Sequence, residues 1–124
     1  MIPITFLDAV HASNLTGVRA GPPVRDFLEI WVVVVQGRLF ARSWGLAERS
    51  WYTLFLAGEP GVLSSGGQEV AVRGIIPPDL EAMSAAISAE YLRKYDQGAN
   101  SSYARGIVED VHVARTMEFI SADS

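Results

Sequence analysis

The chain has 124 residues and a formal charge of −4, with 49% hydrophobic residues, 19% charged residues and no cysteine. That size and composition fit one folded domain and exclude a disordered chain, while the missing thiols exclude disulfides, thiolate metal sites and a cysteine nucleophile. The acidic balance argues against nucleic acid as a partner, and the longest apolar run, Ile30 to Val35, is far too short to span a membrane.

The first residues lack a basic stretch followed by a long apolar one, so no secretory leader is expected and a cytoplasmic location is. Thr5-Phe6-Leu7-Asp8 has capping-box spacing and predicts a short helix through Ala12. Gly17 to Pro23 reads as a loop, broken by Gly21-Pro22-Pro23. Phe27 to Val35 reads as a single strand, apolar on both faces. Phe27, Trp31, Val33 and Val35 share one face with Glu29; Leu28, Ile30, Val32 and Val34 share the other. Such a strand must be covered on both sides, by a barrel interior and by a helix or a subunit partner. Gln36-Gly37 predicts a tight hairpin into a return strand, Arg38 to Trp44, which Gly45 ends.

Glu48 to Ala57 has helical period, with Ser50 as N-cap, Trp51, Leu54 and Phe55 on one face, and Gly58 and Pro60 as the stop. A second hairpin joins Val62–Ser65 to Gln68–Ile76 through Gly66-Gly67. After Pro77-Pro78-Asp79 the longest helix places Leu80, Met83, Ile87 and Tyr91 at helical spacing, down to Tyr95. Gln97 to Ser102 reads as a polar loop, and Asp110 to Ile120 as a last strand with Val111, Val113, Met117 and Phe119 on one face. Tight hairpins make antiparallel pairs, so the expected fold is mainly β within the α+β class. It is a small antiparallel barrel over residues 1–124, with short N-terminal and mid-chain helices and one long late helix.

Few common sites are present. His11 and His112 have no second ligand at metal spacing, and no phosphate loop, dinucleotide fingerprint or serine-hydrolase elbow occurs. The basic residues are nine arginines and one lysine, Lys94. Arginine suits planar anions and aromatic surfaces, although coding bias is the plainer explanation for most of them. The informative stretch is Leu39-Phe40-Ala41-Arg42-Ser43-Trp44-Gly45 followed by Arg49-Ser50-Trp51-Tyr52. Backbone N–H groups at a helix start beside Arg42, Ser43, Arg49 and Ser50 suit an anion, and Trp44 and Tyr52 offer planar surface to an aromatic ligand. Spacing alone favours the plainer reading, with Trp51 and Tyr52 in the core, the serines as caps and the arginines on the surface. Arg115, if its strand is regular, faces the core with Met117 and Phe119. It then needs a carboxylate such as Glu29, a ligand anion at a pocket, or a bulge that turns it outward.

Arg42-Ser43-Trp44-Gly45, Ser50-Trp51-Tyr52, Leu56 to Val62 and the Gly-Gly hairpin together resemble the split β-barrel flavin-binding superfamily. The likeness is greatest to the branch with deazaflavin-dependent nitroreductases. Within that fold, Ile30-Trp31-Val32-Val33 and Arg115-Thr116 look most like a bacterial family of unknown function. The resemblance runs from Val24 to Phe119, with the specific motifs in its middle third. It implies phosphate contacts from Arg42, Ser43, Gly45 and Ser50, and an isoalloxazine or deazaflavin ring shaped by Trp51 and Tyr52. Where the branch carries a lysine after the serine, this chain carries Trp44. The implied protein is a homodimer that binds FMN or a 5-deazaflavin and reduces a small planar substrate by hydride transfer. The alternative is a barrel that binds a small molecule without catalysis.

Overall fold

The computed structural model describes residues 2–22, 26–44 and 50–123. In chain order it contains helix α1 (Ile4–Ala12), strands β1 (Thr16–Ala20), β2 (Leu28–Ile30), β3 (Val32–Val35) and β4 (Arg38–Arg42), and helix α2 (Trp51–Leu56). Strands β5 (Gly61–Ser65) and β6 (Gln68–Ile75) follow, then helices α3 (Leu80–Tyr95), α4 (Ser101–Ile107) and α5 (Asp110–Val113), and strand β7 (Thr116–Ser121). Among the described residues no helix is long and apolar enough to cross a membrane.

All seven strands form one antiparallel sheet in the order β2-β1-β5-β6-β7-β4-β3. The two end members are neighbours in the chain, separated by Trp31 alone. The sheet therefore curls until its ends lie one residue apart, which makes the expected split barrel. The run from Phe27 to Val35 is thus not one strand. Leu28–Ile30 pairs with β1 and Val32–Val35 pairs with β4, and Trp31 is the point where the chain changes partner.

Period-two alternation sorts the side chains. Val32, Leu39 and Ala41 join Phe6, Val10, Val18, Phe55, Leu63, Val72, Met117 and Phe119 inside the barrel. Val33 and Phe40 face the other way, onto Met83, Ile87, Tyr91 and Tyr95 of α3 and Ala104 and Ile107 of α4, with Trp31 and Val35 packed beside them. Helix α3 thus supplies, within the chain, the second cover that the apolar run demands.

Both hairpins turn as expected. Gln36 and Gly37 take φ of 54° and 73°, and Gly66 and Gly67 take 57° and 76°, the left-handed pairs that match strand twist. Helix α2 starts on a full capping box, with Thr53 N–H donating to Ser50 Oγ (3.3 Å) and Ser50 N–H donating to Thr53 Oγ1 (3.0 Å). Its Phe55 is pressed against the sheet where two glycines clear the space. A Cβ on Gly61 would fall 2.5 Å from the Phe55 ring and 2.6 Å from the Arg19 carbonyl, and one on Gly74 would fall 2.7 Å from the same ring.

Several expectations are corrected. Helix α1 forms, but its N-cap is Pro3, and Thr5 donates to Gln68 Oε1 (3.1 Å) in place of closing a capping box. Residues 17–20, read as the start of a loop, belong to β1; Gly17 leaves room there for the Phe27 ring, 3.2 Å from where a Cβ would stand. The polar stretch after Gln97 is a short 3-10 turn, Gly98–Asn100, leading into α4. Asp110–Val113 is helical, so the last strand starts at Thr116. Alternation had placed Val111 inside, yet it is exposed and His112 is buried, because a single helical turn reverses which of two neighbours faces the core. The return strand ends at Arg42, two residues short of the expected Trp44, and the expected helix start at Glu48 lies outside the described residues, as do Gly45 and Arg49.

Candidate functional site

Where the barrel splits, a cavity of about 310 Å³ opens beside Trp31. Its walls are Leu15, Leu28, Ile30 and Ile107, the aromatic residues Trp31, Trp44, Trp51 and Tyr103, and two charged residues, Glu29 and Arg42. These are all three tryptophans of the chain.

Each tryptophan is braced from behind. The Trp31 ring lies flat on Tyr95, with centroids 4.1 Å apart and planes 4° from parallel. Trp44 lies on His112 in the same way, at 4.8 Å and 7°, with Tyr103 edge-on at 5.6 Å. Trp51 sits at the root of α2 against Tyr52, Phe55 and Phe119. His112 is itself fixed, because its Nδ1 lies 3.1 Å from the Ser43 carbonyl oxygen, which can only accept. Nδ1 therefore carries a proton. Each ring held in this way has little orientational freedom left to lose.

Arg42 is the exceptional residue. It ends β4 with only 4% of its surface exposed. Its Nε donates to Thr116 Oγ1 (3.1 Å), Nη1 to Ser88 Oγ (2.9 Å) and the Ile107 carbonyl (3.4 Å), and Nη2 to the Ser84 carbonyl (3.2 Å). All four acceptors are neutral, and the Tyr91 ring, 5.6 Å away, is the other favourable contact. A guanidinium has five N–H donors, so one on Nη2 is left over. Burial pulls the group below the ordinary arginine value, opposed only by Tyr91. By contrast, Arg38, Arg93 and Arg105 each meet a carboxylate. Arg42 is a buried cation on a cavity wall, with no carboxylate within ion-pair distance among the described residues, although Glu29 lines the same cavity.

Tyr91 sets the geometry. Its hydroxyl accepts from the Arg42 backbone N–H (2.8 Å) and donates to the Trp31 carbonyl (3.0 Å), tying the end of β4 to the split. Burial raises its pKa far above the ordinary tyrosine value, so it stays a donor.

The residues singled out from sequence separate into two groups. Arg42, Trp44, Trp51 and Glu29 meet at the cavity. Ser43 and Tyr52 are buried, at 1% and 4% exposure, and Tyr52 packs within the barrel core. The Ser50 hydroxyl caps α2 and accepts from Arg115 Nη2 at 3.4 Å. Gly45 and Arg49 lie outside the described residues. Arg115 does not reach Glu29; it precedes β7, lies over the Tyr52 ring at 4.5 Å, and keeps a buried Nε without an acceptor among the described residues. Sequence reasoning missed Trp31, Tyr103 and Ile107 as walls. Trp31 was assigned to an unbroken strand, and Tyr103 and Ile107 belong to a helix that polar composition concealed.

Over residues 5–119 the sequence matches the family described as "Uncharacterized protein conserved in bacteria (DUF2255)". No curated protein is recognisably similar to it. A crystal structure of the conserved hypothetical protein Rv2991 from Mycobacterium tuberculosis aligns at 12% identity and a TM-score of 0.46, covering 98% of this chain and 81% of that one.

Proposed function

We propose, for a chain that belongs to the DUF2255 family of uncharacterised proteins conserved in bacteria, that the three-tryptophan cleft binds a planar aromatic ligand bearing negative charge. The observation that carries this reading is Arg42, a buried cation with no carboxylate within ion-pair distance among the described residues, on the wall of a cavity lined, apart from Glu29, by aromatic and aliphatic side chains. A cation so placed costs several kcal/mol, roughly, unless an anion joins it. The braced rings supply flat apolar surface for the rest of the ligand.

FMN or a 5-deazaflavin is the ligand of this kind to which the sequence resemblance points. A bound flavin would supply hydride transfer, making the protein an oxidoreductase for a small planar substrate. Trp31, Trp44 and Trp51 would hold the ring, and Arg42 would meet its negative charge. The homodimer expected from sequence belongs to the same proposal, with sedimentation velocity as its test.

A second reading, binding without catalysis, is favoured by one observation. Ser43 is buried and the Ser50 hydroxyl already serves the α2 cap, so neither stands open to a flavin phosphate. Titrating the purified protein with FMN and, separately, a 5-deazaflavin distinguishes the two. Saturable quenching with a dissociation constant of about micromolar order, weakened about tenfold or more by Arg42→Met, is expected for a flavin protein. Binding to neither refutes the flavin reading and leaves the cleft to another aromatic anion.

A further inference from the structure

We infer that the ligand of this cleft is a planar aromatic monocarboxylate, held with its carboxylate on Arg42; this rests on the cleft being an aromatic binding site, follows the reading without a flavin, and narrows what the cleft takes. Charge is the first reason. Among the described residues Arg42 bonds only neutral acceptors, so one negative charge is enough to pair with it. A second negative charge would be buried unpaired, and Glu29 on the same cavity wall would oppose it.

Donor capacity is the second. Thr116, Ser88, Ile107 and Ser84 occupy four of the five guanidinium N–H groups, which leaves a single N–H for a ligand oxygen. A carboxylate satisfied by one charged hydrogen bond keeps its other oxygen free for water at the cleft mouth. A phosphate dianion would need several donors here, and two of the nearby hydroxyls already donate elsewhere: Thr116 Oγ1 to the Val113 carbonyl at 2.7 Å and Ser84 Oγ to the Leu80 carbonyl at 2.6 Å. Arg38 is already shared between two carboxylates, and Arg115 is not among the lining residues.

Size is the third. A cavity of about 310 Å³ stands at the small end of ligand sites and suits two or three fused rings, not a dinucleotide.

Isothermal calorimetry with 2-naphthoate, 2-naphthamide and 2-naphthyl phosphate, on wild type, Arg42→Met and Arg42→Lys, tests the inference. The three probes share one ring and differ in charge. In wild type the carboxylate is expected to bind about tenfold or more tighter than the amide and no weaker than the phosphate. The preference should vanish in Arg42→Met and persist in part in Arg42→Lys, which retains the charge. Urea unfolding of both variants establishes that they are folded. Equal binding of acid and amide, or tightest binding of the phosphate, overturns the monocarboxylate inference while leaving the aromatic cleft in place. Binding of none of the three overturns both.

Discussion

Two arginines four residues apart on one strand should respond unequally to the same substitution. Arg38 is held by Asp79 through two hydrogen bonds of 2.9 Å, and by Glu118 through two more of 3.0 and 2.9 Å. The Glu118 side chain is only 10% exposed. Arg38→Met would strand that carboxylate in the barrel wall, and removing one partner of a buried pair costs about 3 kcal/mol or more. In a domain of this size that is a fall in melting temperature of about 10 °C. Arg42→Met strands no charge. It removes a cation that burial disfavours and leaves the hydroxyls of Thr116 and Ser88 and the carbonyls of Ile107 and Ser84, of which the Thr116 hydroxyl keeps its bond to the Val113 carbonyl. Relief from the desolvation of the cation offsets the loss of its four hydrogen bonds, so a change within about 1 kcal/mol is expected in the ligand-free protein. Urea unfolding of both variants at neutral pH measures the contrast. If Arg42→Met is the more destabilising of the two, Arg42 is a structural residue and the case for it as a ligand anchor fails.

Gly61→Ala should cost about 1–3 kcal/mol, because its Cβ would strike the Arg19 carbonyl as well as the Phe55 ring, and a backbone oxygen cannot swing aside; an unchanged unfolding midpoint would refute the close packing of α2. Gly106→Ala should leave stability within about 1 kcal/mol, since alanine favours helix, yet disturb the cleft. Its Cβ would sit 2.7 Å from Trp44 Cη2 and tilt that ring off His112, seen as altered tryptophan fluorescence and weaker ligand binding. Burial lowers the Lys94 ammonium to about 8, so above that pH the folded chain has shed a proton that the unfolded chain still holds, and stability should climb. Tyr91 and Tyr95 shift the other way: burial keeps their protons on, so their contribution is intact below pH 10 and fades above it as the unfolded chain ionises. A urea series across alkaline pH should rise from about 8 and then fall, with Lys94→Met flattening the first limb and Tyr91→Phe weakening the second.

Much of this architecture was written in local signals. Gln36-Gly37 and Gly66-Gly67 announce their hairpins through backbone freedom, Ser50 announces α2 through its cap, and Met83, Ile87, Tyr91 and Tyr95 announce α3 through period. What was hidden depended on distant partners. Nothing between Leu28 and Val35 marks Trp31 as the residue where the chain leaves β1 for β4; only the closing of the sheet imposes that break. Helix α4 has a polar sequence and is stabilised by burying Ala104 and Ile107 against α3, a contact no window of local sequence contains. The site was legible for the same reason in part. Arg42, Trp44 and Trp51 stand close in sequence, whereas Trp31 and Tyr103 reach them through topology.

The most direct test of the aromatic cleft uses its own tryptophans. Each of Trp31, Trp44 and Trp51 gives one indole N–H signal in a nitrogen-15 correlation spectrum, and all three line the cavity. Titration with an aromatic anion, 2-naphthoate or FMN, should move all three signals together along one saturation curve, and Arg42→Met should weaken that curve about tenfold or more. Signals that stay fixed, or a shift confined to one tryptophan, would contradict a shared ligand site at the split of the barrel.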